Sequence, residues 1–394
     1  MAFRLSAQNV FDYLEERGID LNCDRSLIQV ELKFAKNFNL LLSFPEGRKL
    51  LVKQEPYKPD GQTVGEFYIE QRVHNFIEQF SDLSALRAWL PEWLDFDPEN
   101  SIIILNYLTE YRDFSDFYVE NTSFPPELAA SLGYILGSFH KSTFNRADYR
   151  RFWITEEQEL AAQQSMMLAK GLERIGPEIF GEFPAEALKF FALYQRYESL
   201  GQAIAELSQS VQLSCLIHND LKLNNVLLHQ TWEDLAVETG QPAPIRLIDW
   251  ERCNWGDPAL DLGTLVASYL QIWLNSMVVS SSLDIQESLR LATIPLEKLQ
   301  PSTVALIEAY LNRFPEVLSD RPDFVKRVVQ YTGLMLIHQI NAFIQYQKTF
   351  NNTGICMLQV AKSLLCRPEA SIQSIFGVPE SRLVPMAASS GLQS

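Results

Sequence analysis

The sequence offers little to metal–thiolate chemistry, to a membrane or to nucleic acid. Its five cysteines, Cys23, Cys215, Cys253, Cys356 and Cys366, are odd in number and scattered, with no CxxC pair. That pattern excludes a cysteine zinc site and reads as reduced cytosolic thiols. Long apolar runs are missing too. The most apolar stretch, Leu262 to Val279, is interrupted by Thr264, Ser268, Gln271, Asn275 and Ser276, which suits a buried helix better than a membrane span. Glu15 and Glu16 break up the apolar residues near the amino terminus, so no signal peptide is expected, and the chain reads as cytoplasmic. Positive charge is scarce. Lys+Arg number 33 against Asp+Glu 49, a formal charge of -16, which disfavours a phosphate backbone or an anionic membrane as a partner. A cationic acceptor would be attracted, although excess carboxylates equally serve solubility.

What is present is ordinary globular composition, 47% apolar and 21% charged, with no low-complexity tract and no internal repeat. Ser6 is placed to cap a helix running to about Glu16 and ending at Gly18. Three β-rich runs follow, Ile28 to Phe34, Phe38 to Phe44 and Lys49 to Gln54, the last two separated by a turn-like Pro45-Glu46-Gly47-Arg48. Ile69, Val73, Phe76 and Phe80 recur at helical spacing and predict a helix from about Val64 to Phe80. Another strand is expected over Ser101 to Tyr107. From Pro125 onward helices dominate: Leu128 to His140, Glu156 to Leu172, Ala185 to Leu207, Asp257 to Leu274, Val304 to Phe314 and Pro322 to Phe350. Short β-type runs at Leu213 to Leu228 and Ile245 to Ile248 interrupt them. The reading is therefore an α+β chain in which a small antiparallel-sheet region, residues 1–107, precedes a large helical one, residues 108–384. Residues 385–394 are expected to form a frayed tail.

Two segments carry chemistry. One reads Leu216-Ile217-His218-Asn219-Asp220-Leu221-Lys222-Leu223-Asn224-Asn225, the other Ile245-Arg246-Leu247-Ile248-Asp249-Trp250-Glu251. Taken alone, an aspartate is usually surface and a histidine usually core, but an HxDxxxxN string followed by an apolar-apolar-Asp strand end rarely arises by accident. The pair resembles the catalytic and metal-binding loops of the aminoglycoside phosphotransferase and choline kinase superfamily, a branch of the protein-kinase-like fold. The resemblance extends over Gly256-Asp257-Pro258-Ala259-Leu260-Asp261-Leu262-Gly263, Leu50-Leu51-Val52-Lys53 and the strand Ile102 to Leu108. It implies a two-lobed fold with a sheet-rich N-lobe and a helical C-lobe.

By the same resemblance Asp220 accepts the proton of an attacking hydroxyl, and Lys222 offsets charge on the transferred phosphate. Asn225 and Asp249 hold Mg2+, whose other positions go to phosphate oxygens and water. Lys53, paired with Glu70, anchors the ATP phosphates, with Glu66 one turn earlier as the competing partner. Backbone groups at Asn106, Tyr107 and Leu108 bind adenine. His218, Asp257 and Asp261 are read as structural, Asp261 tying the catalytic loop and Asp257 capping a helix that starts at Pro258. The turn near Ala35, Lys36 and Asn37 lacks the GxGxxG that usually covers phosphates. The implied activity is an ATP- and Mg2+-dependent kinase acting on a hydroxyl of a small acceptor, with a cation favoured by the acidic charge. Phosphorylation of Ser or Thr in a precursor peptide and a non-catalytic pseudokinase stay open as alternatives. The insertion from Ser142 to Gln212 would help shape the acceptor pocket, but Trp153, Glu156, Glu157, Trp273 and His338 are better explained by packing or solvated faces than by acceptor contact.

Overall fold

The computed structural model describes residues 3–34, 36–154, 187–239, 244–278, 283 and 285–384. The chain folds into two compact units, the first made of Met1–Phe114, Asn225–Leu235 and Pro244–Cys253, the second of Ser115–Asn224, Ala236–Ala243 and Asn254–Ser394.

The first unit is built on a five-stranded antiparallel sheet in the order β1-β2-β3-β5-β4. Its strands are β1 (Gln29–Phe34), β2 (Phe38–Ser43), β3 (Lys49–Gln54), β4 (Trp93–Asp97) and β5 (Ile102–Asn106). Alternation decides which side chains meet which neighbour, because successive strand residues point to opposite faces. Leu40, Leu42, Leu50, Val52, Ile102 and Ile104 pack on one face against Val10, Tyr13 and Leu14 of helix α1 (Val10–Glu16). Leu51, Ile103 and Leu105 lie on the other, with Phe96 and with Phe67 of helix α2 (Glu66–Gln79). Lys53 follows Leu51 by two residues and pairs with Ile103, so it shares that second face. Each fully buried aliphatic or aromatic side chain contributes about 1.5–3 kcal/mol. A slip of one residue in β3 would exchange the two faces, so the core fixes the register that aims Lys53.

A second, three-stranded sheet in this unit has the order β6-β8-β9, with β6 (Tyr111–Asp113), β8 (Val226–His229) and β9 (Ile245–Leu247). Val226 lies opposite Leu247. Several elements differ from the sequence reading. Trp93–Asp97 forms an edge strand that its two aspartates conceal, and Ser81–Trp89 winds as a 3-10 helix. The amino-terminal helix begins at Val10, after a turn in which Ser6 N–H donates to Asn9 Oδ1 (2.7 Å) and Asn9 N–H donates to Ser6 Oγ (3.3 Å).

The second unit is helical. The helix Pro126–Thr143 lies along Leu296–Arg313, and Pro258–Asn275 packs on Phe324–Ala342, which also packs on Asn352–Cys366. Close approach is achieved through glycine at Gly263. A Cβ there would sit 2.7 Å from the Tyr331 Cβ and 2.9 Å from the Val328 carbonyl oxygen. The long helix expected to reach Phe350 stops at Ala342 and continues as a π turn, Phe343–Gln347, ended by Lys348 at φ +56°. The helix expected from Val304 starts eight residues earlier, at Leu296, and runs through Pro301, which the sequence presents as a breaker. Ala187–Tyr194 and Glu198–Gln209 replace the single helix expected there. The helix expected from Glu156 to Leu172 and the tail at 385–394 lie outside the described residues. Two short antiparallel strands, β7 (Cys215–Ile217) and β10 (Asn254–Gly256), with Ile217 opposite Asn254, hold the chain just before His218. Among the described residues no helix is long and apolar enough to cross a membrane.

Candidate active site

In the sheet unit, the pairing of β8 with β9 brings Asn225 and Asp249 together. Asn225 precedes β8 and accepts a hydrogen bond on its backbone oxygen from the Ile248 N–H (3.0 Å), and Asp249 is the next residue. Asp249 is held in the left-handed region, φ 60° and ψ 56°. Aspartate and asparagine tolerate that conformation better than other non-glycine residues, and its cost is about 1–3 kcal/mol where the surroundings impose it. Asn225 is buried, whereas the Asp249 side chain keeps 36% of its surface exposed. One carboxylate and one amide oxygen are hard donors that suit Mg2+ when phosphate oxygens and water complete the shell. The donor set therefore fits the implied ion.

Lys53 reaches Asp249. Its Nζ donates to Asp249 Oδ1 at 2.7 Å, and its side chain is 13% exposed. Burial alone would lower the ammonium's pKa, but the hydrogen-bonded Asp249 carboxylate more than offsets it and leaves it raised. The expected ion pair with Glu70 does not form; Asp249 takes the ammonium instead. Glu70 is nevertheless buried on α2, with Oε2 accepting no hydrogen bond. Burial pushes its carboxyl well above the ordinary 4.5, with Lys53 pulling the other way. An uncompensated carboxylate at that depth is costly, so the neutral acid is favoured. Glu66 is engaged elsewhere, in an ion pair with Lys36, which also donates to Glu251 Oε1 at 3.3 Å. Lys36 lies in the β1–β2 turn that follows Ala35, itself outside the described residues. That turn is thus tied to the start of α2 and to the segment after Asp249 by charge, where the sequence showed only a missing glycine motif.

The segment expected to bind adenine is partly committed to the sheet. The Asn106 N–H donates to the Glu92 carbonyl and the Tyr107 N–H to the Lys49 carbonyl, each at 2.9 Å. The Tyr107 and Leu108 carbonyls accept from the Thr109 N–H (2.9 Å) and the Tyr111 N–H (3.0 Å). Among the described residues the Leu108 N–H donates to no group, which makes it the backbone donor available to a base.

In the helical unit, the loop bearing Asp220 is anchored from beneath. Asp261, fully buried in the first turn of Pro258–Asn275, accepts the backbone N–H of His218 at 2.7 Å and of Asn219 at 2.9 Å. His140 Nε2 lies 3.3 Å from the same carboxylate, and His140 Nδ1 lies 2.9 Å from the Tyr310 hydroxyl. Sequence reasoning anticipated Asp261 but not His140, because a histidine at the end of an apolar helix carries no signal of its partner. Asn219 adopts φ 65°, so the chain turns sharply just before Asp220. The Asp220 side chain points to partly open surroundings and pairs with Lys222 at 2.7 Å. Asp257 caps its helix, accepting the Ala259 N–H at 3.0 Å, and is bound by Arg327. His218 is buried, in keeping with a packing role. Of the other acceptor candidates, Trp153 is buried, and Glu156 and Glu157 lie outside the described residues.

A family model described as "Phosphotransferase enzyme family" matches residues 70–284, more than half of the 394 residues. No curated protein matches the sequence. Among solved structures, an ethanolamine kinase of Plasmodium vivax aligns over 90% of this chain and 89% of its own, at 12% identity and a TM-score of 0.53. An amicoumacin kinase in complex with AMP-PNP, Ca2+ and Ami aligns over 92% of this chain and 93% of its own, at 13% identity and a TM-score of 0.51. The fold is the two-lobed protein-kinase-like α+β fold, with a small antiparallel-sheet unit and a larger helical one.

Proposed function

Because the chain belongs to the phosphotransferase enzyme family, we propose that it transfers the terminal phosphoryl group of ATP, with Mg2+, to a hydroxyl of a small molecule. The observation that carries this reading is the Lys53–Asp249 contact at 2.7 Å. It joins a lysine aimed by a sheet core to a strained carboxylate 196 positions away, next to a buried asparagine. Such a cluster of one ammonium and two oxygen donors suits a nucleotide's phosphates and their divalent ion. The ethanolamine kinase and the amicoumacin kinase that share the fold are named for small acceptors, and the second is bound to AMP-PNP.

In this reading Asn225 and Asp249 hold the ion, which supplies charge neutralisation at the phosphates, and Lys53 binds phosphate oxygens. The Leu108 N–H hydrogen-bonds the base. Asp220 accepts a hydrogen bond from the acceptor hydroxyl and takes its proton as the new O–P bond forms and the bond to the bridging oxygen of ADP breaks. Lys222, already beside Asp220, turns its charge to the transferred group. His140 and Asp261 act by holding the loop backbone.

The test is nucleotide-dependent phosphate transfer to a panel of amino alcohols, sugars, aminoglycosides and Ser/Thr peptides, followed by mass spectrometry. Transfer to at least one small acceptor is expected, with Asp220→Asn lowering kcat by roughly 10²–10⁴-fold. Transfer to peptides alone, or turnover that Asp220→Asn leaves unchanged, would sink the proposal.

A further inference from the structure

Five polar residues interrupt the most apolar stretch of the sequence, and the fold explains most of them. Ser268, Gln271 and Asn275 recur along one face of the helix Pro258–Asn275, and together with Ser276 they line a cavity of about 560 Å³ in the helical unit. Lys222 and Asn224, from the loop that carries Asp220, form another wall, and Gln339 on the helix Phe324–Ala342 a third. The volume is that of a small-molecule site.

The chemistry of the lining is specific. No aspartate, glutamate or aromatic side chain is among its described residues, and Lys222 is their single charged group. An ammonium-bearing acceptor needs a carboxylate or an aromatic face to replace its hydration, and the carboxylate beside this wall, Asp220, is already held by Lys222 at 2.7 Å. What the walls do offer is four carboxamides, Asn224, Gln271, Asn275 and Gln339. None of them is engaged in a side-chain hydrogen bond within the described residues. Each carboxamide presents two N–H donors and an acceptor oxygen, which is the complement of a hydroxyl that both donates and accepts. Ile272 and neighbouring aliphatic groups would cover a carbon skeleton.

We propose, resting on the phosphotransferase reading above, that the acceptor is an uncharged polyhydroxylated molecule of the sugar or sugar-alcohol class, selected by Gln271, Asn275 and Gln339. The net charge of -16, which by itself favours a cation, belongs to the whole surface; the walls of the pocket set the acceptor.

The experiment compares kcat/KM for ATP-dependent phosphorylation of neutral hexoses, pentoses, alditols and methyl glycosides with that of choline, ethanolamine and aminoglycosides. The best neutral acceptor is expected to exceed the best cationic one at least tenfold. Gln271→Leu and Gln339→Leu should each raise the acceptor KM about three- to tenfold, the loss of one or two neutral hydrogen bonds, with melting temperatures close to wild type. Gln271→Glu should narrow the gap in favour of the cations. A cationic best acceptor, or wild-type acceptor KM in both leucine variants, overturns the neutral-acceptor inference and leaves the kinase reading standing. That inference alone also falls if neither class gains phosphate while slow ATP hydrolysis, abolished by Asp220→Asn, persists. Absence of that hydrolysis as well overturns both.

Discussion

Lys53 and Asp249, 196 residues apart, meet at 2.7 Å, and the buried Glu70 on the neighbouring helix is left without the ammonium. Removing either partner strands the other. With the Asp249 side chain 36% exposed, the coupling should be on the order of 1 kcal/mol, below the roughly 3–5 kcal/mol lost when one partner of a fully buried pair is removed. A double-mutant cycle with Lys53→Ala and Asp249→Ala, read by chemical denaturation, measures it. Both single variants should also lower kcat/KM for nucleotide by more than about a hundredfold, since each is proposed to contact phosphate or its ion.

The protonated state of Glu70 has a consequence for stability. Its folded pKa is raised above the unfolded value of about 4.5. The folded state therefore keeps a proton that the unfolded chain releases, and stability declines as pH rises from that value into the neutral range. Glu70→Gln, which carries no titratable proton, should melt with wild type near pH 4 and above it at pH 7–8, by about 1 kcal/mol or more, or a few degrees for a chain of this size. Parallel melting curves of the two proteins across that range would refute the buried neutral acid.

Asp261 should matter to the helical unit more than its distance in sequence from Asp220 suggests. Asp261→Asn keeps the volume but turns one acceptor oxygen into a donor facing the backbone N–H groups of His218 and Asn219. The expected cost is about 2–4 kcal/mol, with kcat falling through a loosened loop while nucleotide KM stays near wild type. Denaturation and steady-state kinetics on one preparation separate the two effects.

Gly263 tests the packing behind that loop. Gly263→Ala would drive a methyl group into the Tyr331 Cβ and the Val328 carbonyl oxygen, at 2.7 and 2.9 Å. Two rigid helices cannot yield locally, so destabilisation of about 1–3 kcal/mol is expected despite alanine's better helix propensity. A stabilised variant would show that the two helices are farther apart.

Leu108→Pro removes the one N–H in Asn106–Leu108 that the sheet leaves unused. It should raise nucleotide KM severalfold and move the melting temperature little, because no internal hydrogen bond is lost. A nucleotide KM equal to wild type would place the base elsewhere.

Much of the molecule was legible from local pattern. The strands β2 and β3, helix α2 and the Asp257 cap follow from alternation, helical spacing and a capping residue before proline, all signals carried by neighbours in sequence. The motif residues Asp220, Lys222, Asn225 and Asp249 stood out because their two segments resemble the loops of a known superfamily. Strand β4 was not, since its pairing with β5 supplies what its own residues lack. The partner of Lys53 was missed for a related reason. An ion pair across 196 residues depends on how β8 and β9 present Asp249, and nothing near Lys53 encodes that.

Sequence by itself determined the secondary structure of the core elements, through short-range period, and supplied the candidates for the reactive side chains, through the resemblance of two motifs. Tertiary structure alone decided that Asp249 rather than Glu70 holds Lys53, that His140 supports Asp261, and that Ser268, Gln271 and Asn275 face one cavity with Gln339. Those outcomes turn on which distant surfaces exclude water from one another, and the Coulomb and hydrogen-bond energies that select a partner become large only after that exclusion.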